Sequence, residues 1–546
     1  MSIYSIGSNA RVRAHMMMVH HRWWKPFIKQ THQPQAVQQG LLERILSTQA
    51  ETTFGKKYGF SRLRGYHEFR LGVPIHTYEE LRPFIHAQEN TSALQLNHEQ
   101  PERYALTSGT TGQPKIIPLL PSTRQMLRRY QLLSTFAQYQ GMPKIFQGKM
   151  LVIAGQEIEG YLESGTPYGS MSGMLAAALP SALQSKCLLP EVIHGLTDFQ
   201  QKYLYLAAWA LSESDLSVVG TANPSTFLML LDMGRKHFFQ LVNQLEVHRK
   251  KPSSSSIPFP RISKGRLRFL QSLIGHEDQL TVEALWPKLK AVVTWTGGSC
   301  GALIPRLQSR LPEKTAIVEM GYLSSEFLGS LNVDVQKNQC VPTFQENFFE
   351  FVEQTDWDAN RSNTVTLAQL ERGKQYYVLA TTLNGLYRYF INDLIEVTDW
   401  FHRTPTIRFV QKGKGVTNLT GEKLYEFHLM SAVNAIQQAY QITVGFYVML
   451  ADPRTLQYTL YLEHPPLDFF AGYKLEQHLG KANLEFQAKR ASGRLQPLRV
   501  VYLREGTGAA YTEYCLHQGQ RDAQFKVIRL QNVKDCSFKF SDYVRE

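Results

Sequence analysis

The sequence predicts an α/β protein of at least two domains, and three observations carry that expectation. The chain has 546 residues, more than one hydrophobic core usually organises. Four short apolar runs end in small residues: KMLVIAG (149–155), LSVVGT (216–221), KAVVTWTGG (290–298) and AIVEMGY (316–322). Helical patterns separate several of them, as expected of a largely buried sheet. In FVQKGKGVTNLTGEKL (409–424), glycines and lysines interrupt the apolar pattern. That interruption divides the chain into a large domain over 1–410, a hinge over 411–415 and a small α+β domain over 416–546.

The elements follow in order. QAVQQGLLERILSTQA (35–50) places Val37, Leu41, Leu42, Ile45 and Leu46 on one helical face. VPIHTYEELRPFI (73–85) reads as a short strand leading into a helix. YALTSGTTGQPKIIPLL (104–120) reads as strand, loop, strand. Residues 122–140 begin with Ser122 and Thr123 as caps and space Met126, Tyr130, Leu133 and Phe136 as a helix does. KPSSSSIPFP (251–260) is a polar surface excursion. Past the hinge, Leu424, Phe427, Met430, Val433, Ile436 and Tyr440 mark a helix. ITVGFYVML and LQYTLYLE then flank ADPRT as a hairpin.

Composition narrows the function classes. Lys and Arg number 59 against 46 Asp and Glu, a formal net charge of +13 that favours anionic small molecules. The basic residues are scattered, without a zinc-finger or RNA-binding signature, which argues against nucleic acid. Cys187, Cys300, Cys340, Cys515 and Cys536 lie far apart without a C-x-x-C pair, which suits a reducing compartment and argues against zinc. The first residues carry Arg and His where a secretory signal needs an apolar core. MLAAAL and YLYLAAWAL are about half the length that spans a bilayer. The expectation is a cytoplasmic protein without a membrane segment.

Chemistry concentrates in the loop after TyrAlaLeuThr. Gly109 and Gly112 let a main chain approach phosphate closely, Ser108, Thr110 and Thr111 add hydroxyls, and Lys115 adds a charge. The spacing is not that of a Walker loop. Taken alone, a plain hairpin turn and a phosphate loop are equally open.

TSGTTGQPK resembles the phosphate-binding signature of the adenylate-forming ligase superfamily. GYLSSEF (321–327) resembles the Tyr-x-Ser-Ser-Glu element of the plant auxin-responsive acyl-acid amido synthetases and their bacterial relatives, and GLYRYFINDLIEV (385–397) resembles that family's Tyr-Arg…Asp stretch. TFGKKYGF (53–60), VPIHTYEELRPFI and LTGEKLYE (419–426) share the same look, so the resemblance spans nearly the whole chain. It implies an adenylate-forming fold: a large domain of β-sheets flanked by helices, with a small mobile C-terminal domain. It also implies ATP and Mg²⁺, a carboxylic acid activated as its adenylate, and an amine or amino acid acceptor.

The implied roles are specific. Tyr322 stacks on adenine, Ser324 and Ser325 line the nucleotide, Glu326 holds Mg²⁺, and Asp393 accepts hydrogen bonds from the ribose hydroxyls. GQRDAQFKVIRL (519–530) is similar to the family's tail segment, and Lys526 is the lysine that swings in to stabilise charge on the transferring phosphoryl group. Two positions depart from the family. Asn392 stands where a glycine is usual, which asparagine's tolerance of left-handed backbone accommodates. Gln411-Lys412 replaces an Arg-Lys pair.

Three other readings remain open at this point. Transfer to a thiol, coenzyme A or a carrier protein, is disfavoured by the lack of a Ser-Gly-Lys tail. GGSCG (297–301) satisfies the nucleophile-elbow pattern of α/β-hydrolases, with Ser299 as nucleophile. A non-catalytic nucleotide-binding protein is the third. The acid itself is not named by the sequence; YGSMSGML (168–175) and TANPSTF (221–227) are the segments assigned to its pocket, with WTGGS (295–299) at the border.

Overall fold

The computed structural model describes every residue apart from 1–2, 92, 108–114, 197, 252–256, 359–360, 413–415, 418, 420–421, 423, 453, 469–470, 492, 494, 519–526 and 546. Two compact units emerge. The first comprises 1–296, 303–391 and 395–409; the second comprises 297–302, 392–394 and 410–546.

The four apolar runs are four strands of one sheet: Lys149–Ile153, Leu216–Thr221, Ala291–Thr294 and Ala316–Glu319, adjacent in that order and parallel throughout. Both faces are covered. Met150, Val218, Ala291, Val293 and Val318 enter one core, while Leu151, Ile153, Val219 and Val292 enter another. Alternate residues thus go to opposite faces, and both must be apolar. The second core is closed by the helices Phe199–Ser212, Pro224–Lys236, Phe238–Lys250 and Lys264–Ser272. YLYLAAWAL belongs to the first of these; among the described residues no helix is long and apolar enough to cross a membrane.

Besides the two-stranded pair Ser330–Asp334 and Gln339–Pro342, two further sheets lie largely in the first unit. One has the order Lys115–Leu119, Arg103–Thr107, Pro167–Gly169, Gly160–Tyr161. The other has the order Thr364–Val365, Asn347–Glu353, Gln375–Thr382, Tyr389–Phe401, Thr404–Lys412. The helix Pro34–Thr48 buries Leu41, Leu42, Ile45 and Leu46 as its period requires. It also buries Gln38, whose side chain donates to the carbonyls of Phe344 and Asn347 and accepts from Phe349 N, bolting the helix to the five-stranded sheet.

Two local expectations change. Over 73–77 there is no strand, only a single parallel bridge between His76 and Tyr389, before the helix Tyr78–Thr91. The helix Pro121–Gly141 begins after Leu120; Thr123 caps it from inside the first turn, its hydroxyl accepting Leu120 N at 3.0 Å. Pro121 takes the first helical position, where a missing N–H costs nothing.

The second unit holds a four-stranded sheet in the order Arg499–Leu503, Gln457–Glu463, Tyr447–Asp452, Leu530–Asn532. The expected hairpin is its centre, with Asp452 opposite Gln457; ITVG precedes the strand rather than joining it. Tyr447, Met449 and Ala451 pack under the helices Glu426–Tyr440 and Ala471–Ala482, while Val448 and Leu450 face a separate core with Tyr511 and Phe540.

Candidate functional site

Two backbone features aim the first set of side chains. The strands Arg103–Thr107 and Lys115–Leu119 pair antiparallel, with Thr107 opposite Lys115. Ser108, Gly109, Thr110, Thr111 and Gly112, the predicted loop between these strands, lie outside the described residues. The parallel strand Ala316–Glu319 runs out at its carboxyl end into Gly321-Tyr322, the edge where open α/β sheets take ligands.

Lys115 opens its strand, and its ammonium lies 5.2 Å from the centroid of the Tyr78 ring, a cation–π distance. Tyr78 in turn fixes the strand: its hydroxyl donates to Ile116 O at 3.0 Å and accepts from Ile116 N at 2.8 Å. Burial pushes the Tyr78 phenol up to about 12, so at neutral pH it is a hydroxyl that does both. The Lys115 ammonium also lies 3.3 Å from the hydroxyl of Tyr389, and that hydroxyl lies 3.3 Å from Glu326 Oε1. Tyr389 and Glu326 are both buried.

Glu326 reaches this point from a tight turn. Ser324 N and its hydroxyl donate to Phe327 O at 3.1 and 2.9 Å, and Phe327 N donates to Ser324 Oγ at 3.2 Å. A Leu323–Leu328 bridge closes the base. The Ser324 hydroxyl is thus committed to the turn, and Ser325 beside it is buried.

Tyr322 is set by two glycines. Gly321 has φ +103°, and a Cβ there would meet Ser330 O at 2.7 Å. A Cβ on Gly329 would lie 2.2 Å from Tyr322 Cδ1, so only hydrogen leaves room for the ring. Tyr322 N donates to Ser330 Oγ at 2.8 Å, and the ring stacks on Phe409 at 5.6 Å and 13°.

The Tyr-Arg…Asp stretch is largely buried, and its side chains do different work. Arg388 is buried in a two-pronged ion pair with buried Glu350, at 2.9 and 2.8 Å, and donates to the carbonyls of Arg70 and Val73. It is a bolt. Asn392 adopts φ +60°, a left-handed conformation that asparagine tolerates better than most residues. Asp393 follows it, buried, on the same strand as Tyr389.

The remaining expectations divide. Lys526 lies outside the described residues. Ser299 sits in the 3₁₀ turn Gly298–Leu303 after the strand Ala291–Thr294, ahead of the helix Ile304–Arg310. Ser170 and Asn223, in the segments assigned to the acid pocket, cap the helices Met171–Ala177 and Pro224–Lys236. Sequence reasoning missed Tyr78 and Tyr389. Tyr389 lies inside the quoted GLYRYFINDLIEV, four residues before Asp393; nothing in the one-dimensional pattern separates it from the core tyrosine Tyr387.

Comparison with known proteins finds relatives along nearly the whole chain. Family models match in chain order: the GH3 family N-terminal domain over 24–316, the central domain over 340–412 and the C-terminal domain over 427–535. An indole-3-acetic acid-amido synthetase, GH3.3 of Arabidopsis thaliana, is 24% identical over 543 residues, covering 90% of this chain and 89% of that protein. The solved AtGH3.15 acyl acid amido synthetase in complex with 2,4-DB shares the fold with a TM-score of 0.81 at 20% identity, covering 95% of this chain and 96% of that one. A 2-hydroxyisobutyryl-CoA ligase in a postadenylation state shares it more distantly, with a TM-score of 0.56 at 14% identity over 92% of this chain and 89% of that one. The N-terminal model alone spans more than half of the sequence, so the α/β-hydrolase reading of Ser299 falls, and the chain belongs to the GH3 family.

Proposed function

We propose that this chain is an ATP-dependent acyl-acid amido synthetase, an AMP-forming carbon–nitrogen ligase. The observation that carries the reading is the match of all three family domains in order, with named amido synthetases covered almost end to end. In the first half-reaction a carboxylate oxygen attacks the α-phosphorus of ATP, and pyrophosphate leaves. In the second, an amine attacks the carbonyl of the mixed anhydride, AMP leaves with the bonding pair, and the amine proton goes to solvent.

The residues take the roles their chemistry suits. Ser108, Gly109, Thr110, Thr111 and Gly112 supply amides and hydroxyls to phosphate, with Lys115 as the charge at the strand end. Tyr322 offers a ring face to adenine, and Ser325 lines the nucleotide. Asp393 receives the ribose hydroxyls. Lys526 approaches the reacting phosphoryl group when the small domain, 416–546, turns about 411–415. Glu326 suits a hard cation, since Tyr389 is its one hydrogen-bond partner among the described residues and engages only Oε1. One carboxylate together with substrate phosphates is a donor set that suits Mg²⁺. Glu326 would hold Mg²⁺, which when bound would supply charge neutralisation at the phosphates.

ATP–pyrophosphate exchange with pooled aromatic, aliphatic and keto acids, without amine or thiol, tests the reading. Exchange with one pool is expected, and Glu326→Ala and Asp393→Ala are each expected to abolish it; near-normal exchange in either variant removes that residue's role. Offering an amino acid or coenzyme A to the preformed adenylate then identifies the acceptor, with amide as the expected product.

A further inference from the structure

We propose that Tyr389 is a positioning residue for adenylation, tying the phosphate-binding Lys115 to the cation-binding Glu326 through one hydroxyl. The inference rests on the ligase reading above. Its basis is the direction of two contacts. An ammonium only donates and an ionised carboxylate only accepts. The Tyr389 hydroxyl, 3.3 Å from each, must therefore accept from Lys115 and donate to Glu326. No other assignment satisfies both.

The tyrosine is itself held from the backbone outward. His76 N donates to Arg388 O at 3.1 Å and Phe390 N donates to His76 O at 2.9 Å, so Tyr389 sits in a pinned parallel bridge. His76 is anchored by Tyr387 O at 3.1 Å on Nδ1 and the Tyr58 hydroxyl at 3.2 Å on Nε2. Just before Tyr389, Arg388 is clamped by Glu350. The backbone carrying the ring is thus fixed and the ring is buried, while Lys115 and Glu326 are a long and a medium flexible side chain from separate elements. A rigid hydroxyl between them fixes the separation of the two charges that ATP and its cation must meet. Holding groups in place before binding removes an ordering cost from the bound state.

The test is calorimetric ATP binding to the full chain across a Mg²⁺ series, for the wild type, Tyr389→Phe, Glu326→Gln and the double variant. Tyr389→Phe is expected to keep its thermal midpoint and to raise the Mg²⁺ needed for half-maximal ATP binding by roughly tenfold, the scale of one hydrogen bond to a charged group. It is expected to add little to Glu326→Gln, because the tyrosine acts on the cation only through the carboxylate charge that glutamine lacks. In pyrophosphate exchange kcat should fall more than KM for the acid rises. A Mg²⁺ dependence within about twofold of wild type, or an effect that adds in full to Glu326→Gln, overturns the proposal. The second comparison holds even when Tyr389→Phe lowers the melting temperature, since a purely structural defect adds in full. A wild-type chain that binds no MgATP removes the ligase reading and this proposal together; normal wild-type binding with an unmoved Tyr389→Phe removes only the proposal.

Discussion

Gly329 shows how much can depend on a missing atom. Its position beside the Tyr322 ring leaves no space for a methyl group: the nearest ring carbon would stand 2.2 Å away. Gly329→Ala must therefore push the ring, and overpacking of this kind costs about 1–3 kcal/mol. With Tyr322 as the adenine platform, calorimetry on Gly329→Ala should show ATP binding weakened by roughly tenfold, the scale of a lost aromatic stack. Unchanged ATP affinity would detach Tyr322 from the nucleotide. Residues of this kind were unevenly legible. Tyr322, Glu326 and Asp393 stand in stretches whose resemblance to a family pattern proposes roles for them. Tyr389 and Tyr78 did not, because a tyrosine among apolar residues has the same local signature whether its hydroxyl holds a charged pair or merely fills a core. Arg388 is the converse: it stands in the motif, yet its guanidinium is consumed by Glu350 and two carbonyls.

At the scale of elements, the helix Glu426–Tyr440 carries a pH-sensitive start. Tyr425 N donates to His428 Nδ1 at 3.1 Å, which requires a neutral, unprotonated nitrogen there. Burial lowers His428 to about 4, against about 6.5 for a free imidazole. The folded state thus resists protonation more than the unfolded chain. Its contribution to stability is complete above about pH 6.5 and is lost as pH falls from there towards 4, on the order of 2 kcal/mol. Hydrogen exchange within Glu426–Tyr440, corrected for intrinsic rates, should show less protection at pH 5 than at pH 7.5, and His428→Gln should flatten that difference. Equal protection at both values in the wild type would remove the histidine from the cap. The parallel strands were legible because burial on both faces writes an unbroken apolar run. The segment 73–77 was not, because one bridge to Tyr389 satisfies its backbone without continuing into a ladder. Thr123 shows the same limit at a helix start: the sequence supplies the capping hydroxyl, while Pro121 decides where the first turn begins.

For the whole molecule, the excess of 59 basic over 46 acidic side chains sets a positive field around substrates that are themselves anions. Apparent KM values for ATP and for the acid should rise between low and physiological ionic strength, by a few-fold, as the field is screened over about 8 Å. A flat salt dependence in steady-state kinetics would show that the excess charge lies too far from the entrance to act. A change of pattern near residue 410 is visible in the sequence and motivates the proposed hinge. The packing within each unit is not visible there, because cores formed by helices and alternate strand residues far apart in sequence leave no local mark.

The left-handed corner at Asn392 has one more consequence, and it concerns the genetic code. Codons for glycine and asparagine differ at more than one base, so a lineage moving between them by single-base changes passes through aspartate or serine. Of these, aspartate shares asparagine's short planar side chain and its tolerance of positive φ. Serine has neither, so the backbone at φ +60° favours the aspartate route by about 1 kcal/mol. The geometry of one turn thereby constrains the order in which its own gene can change.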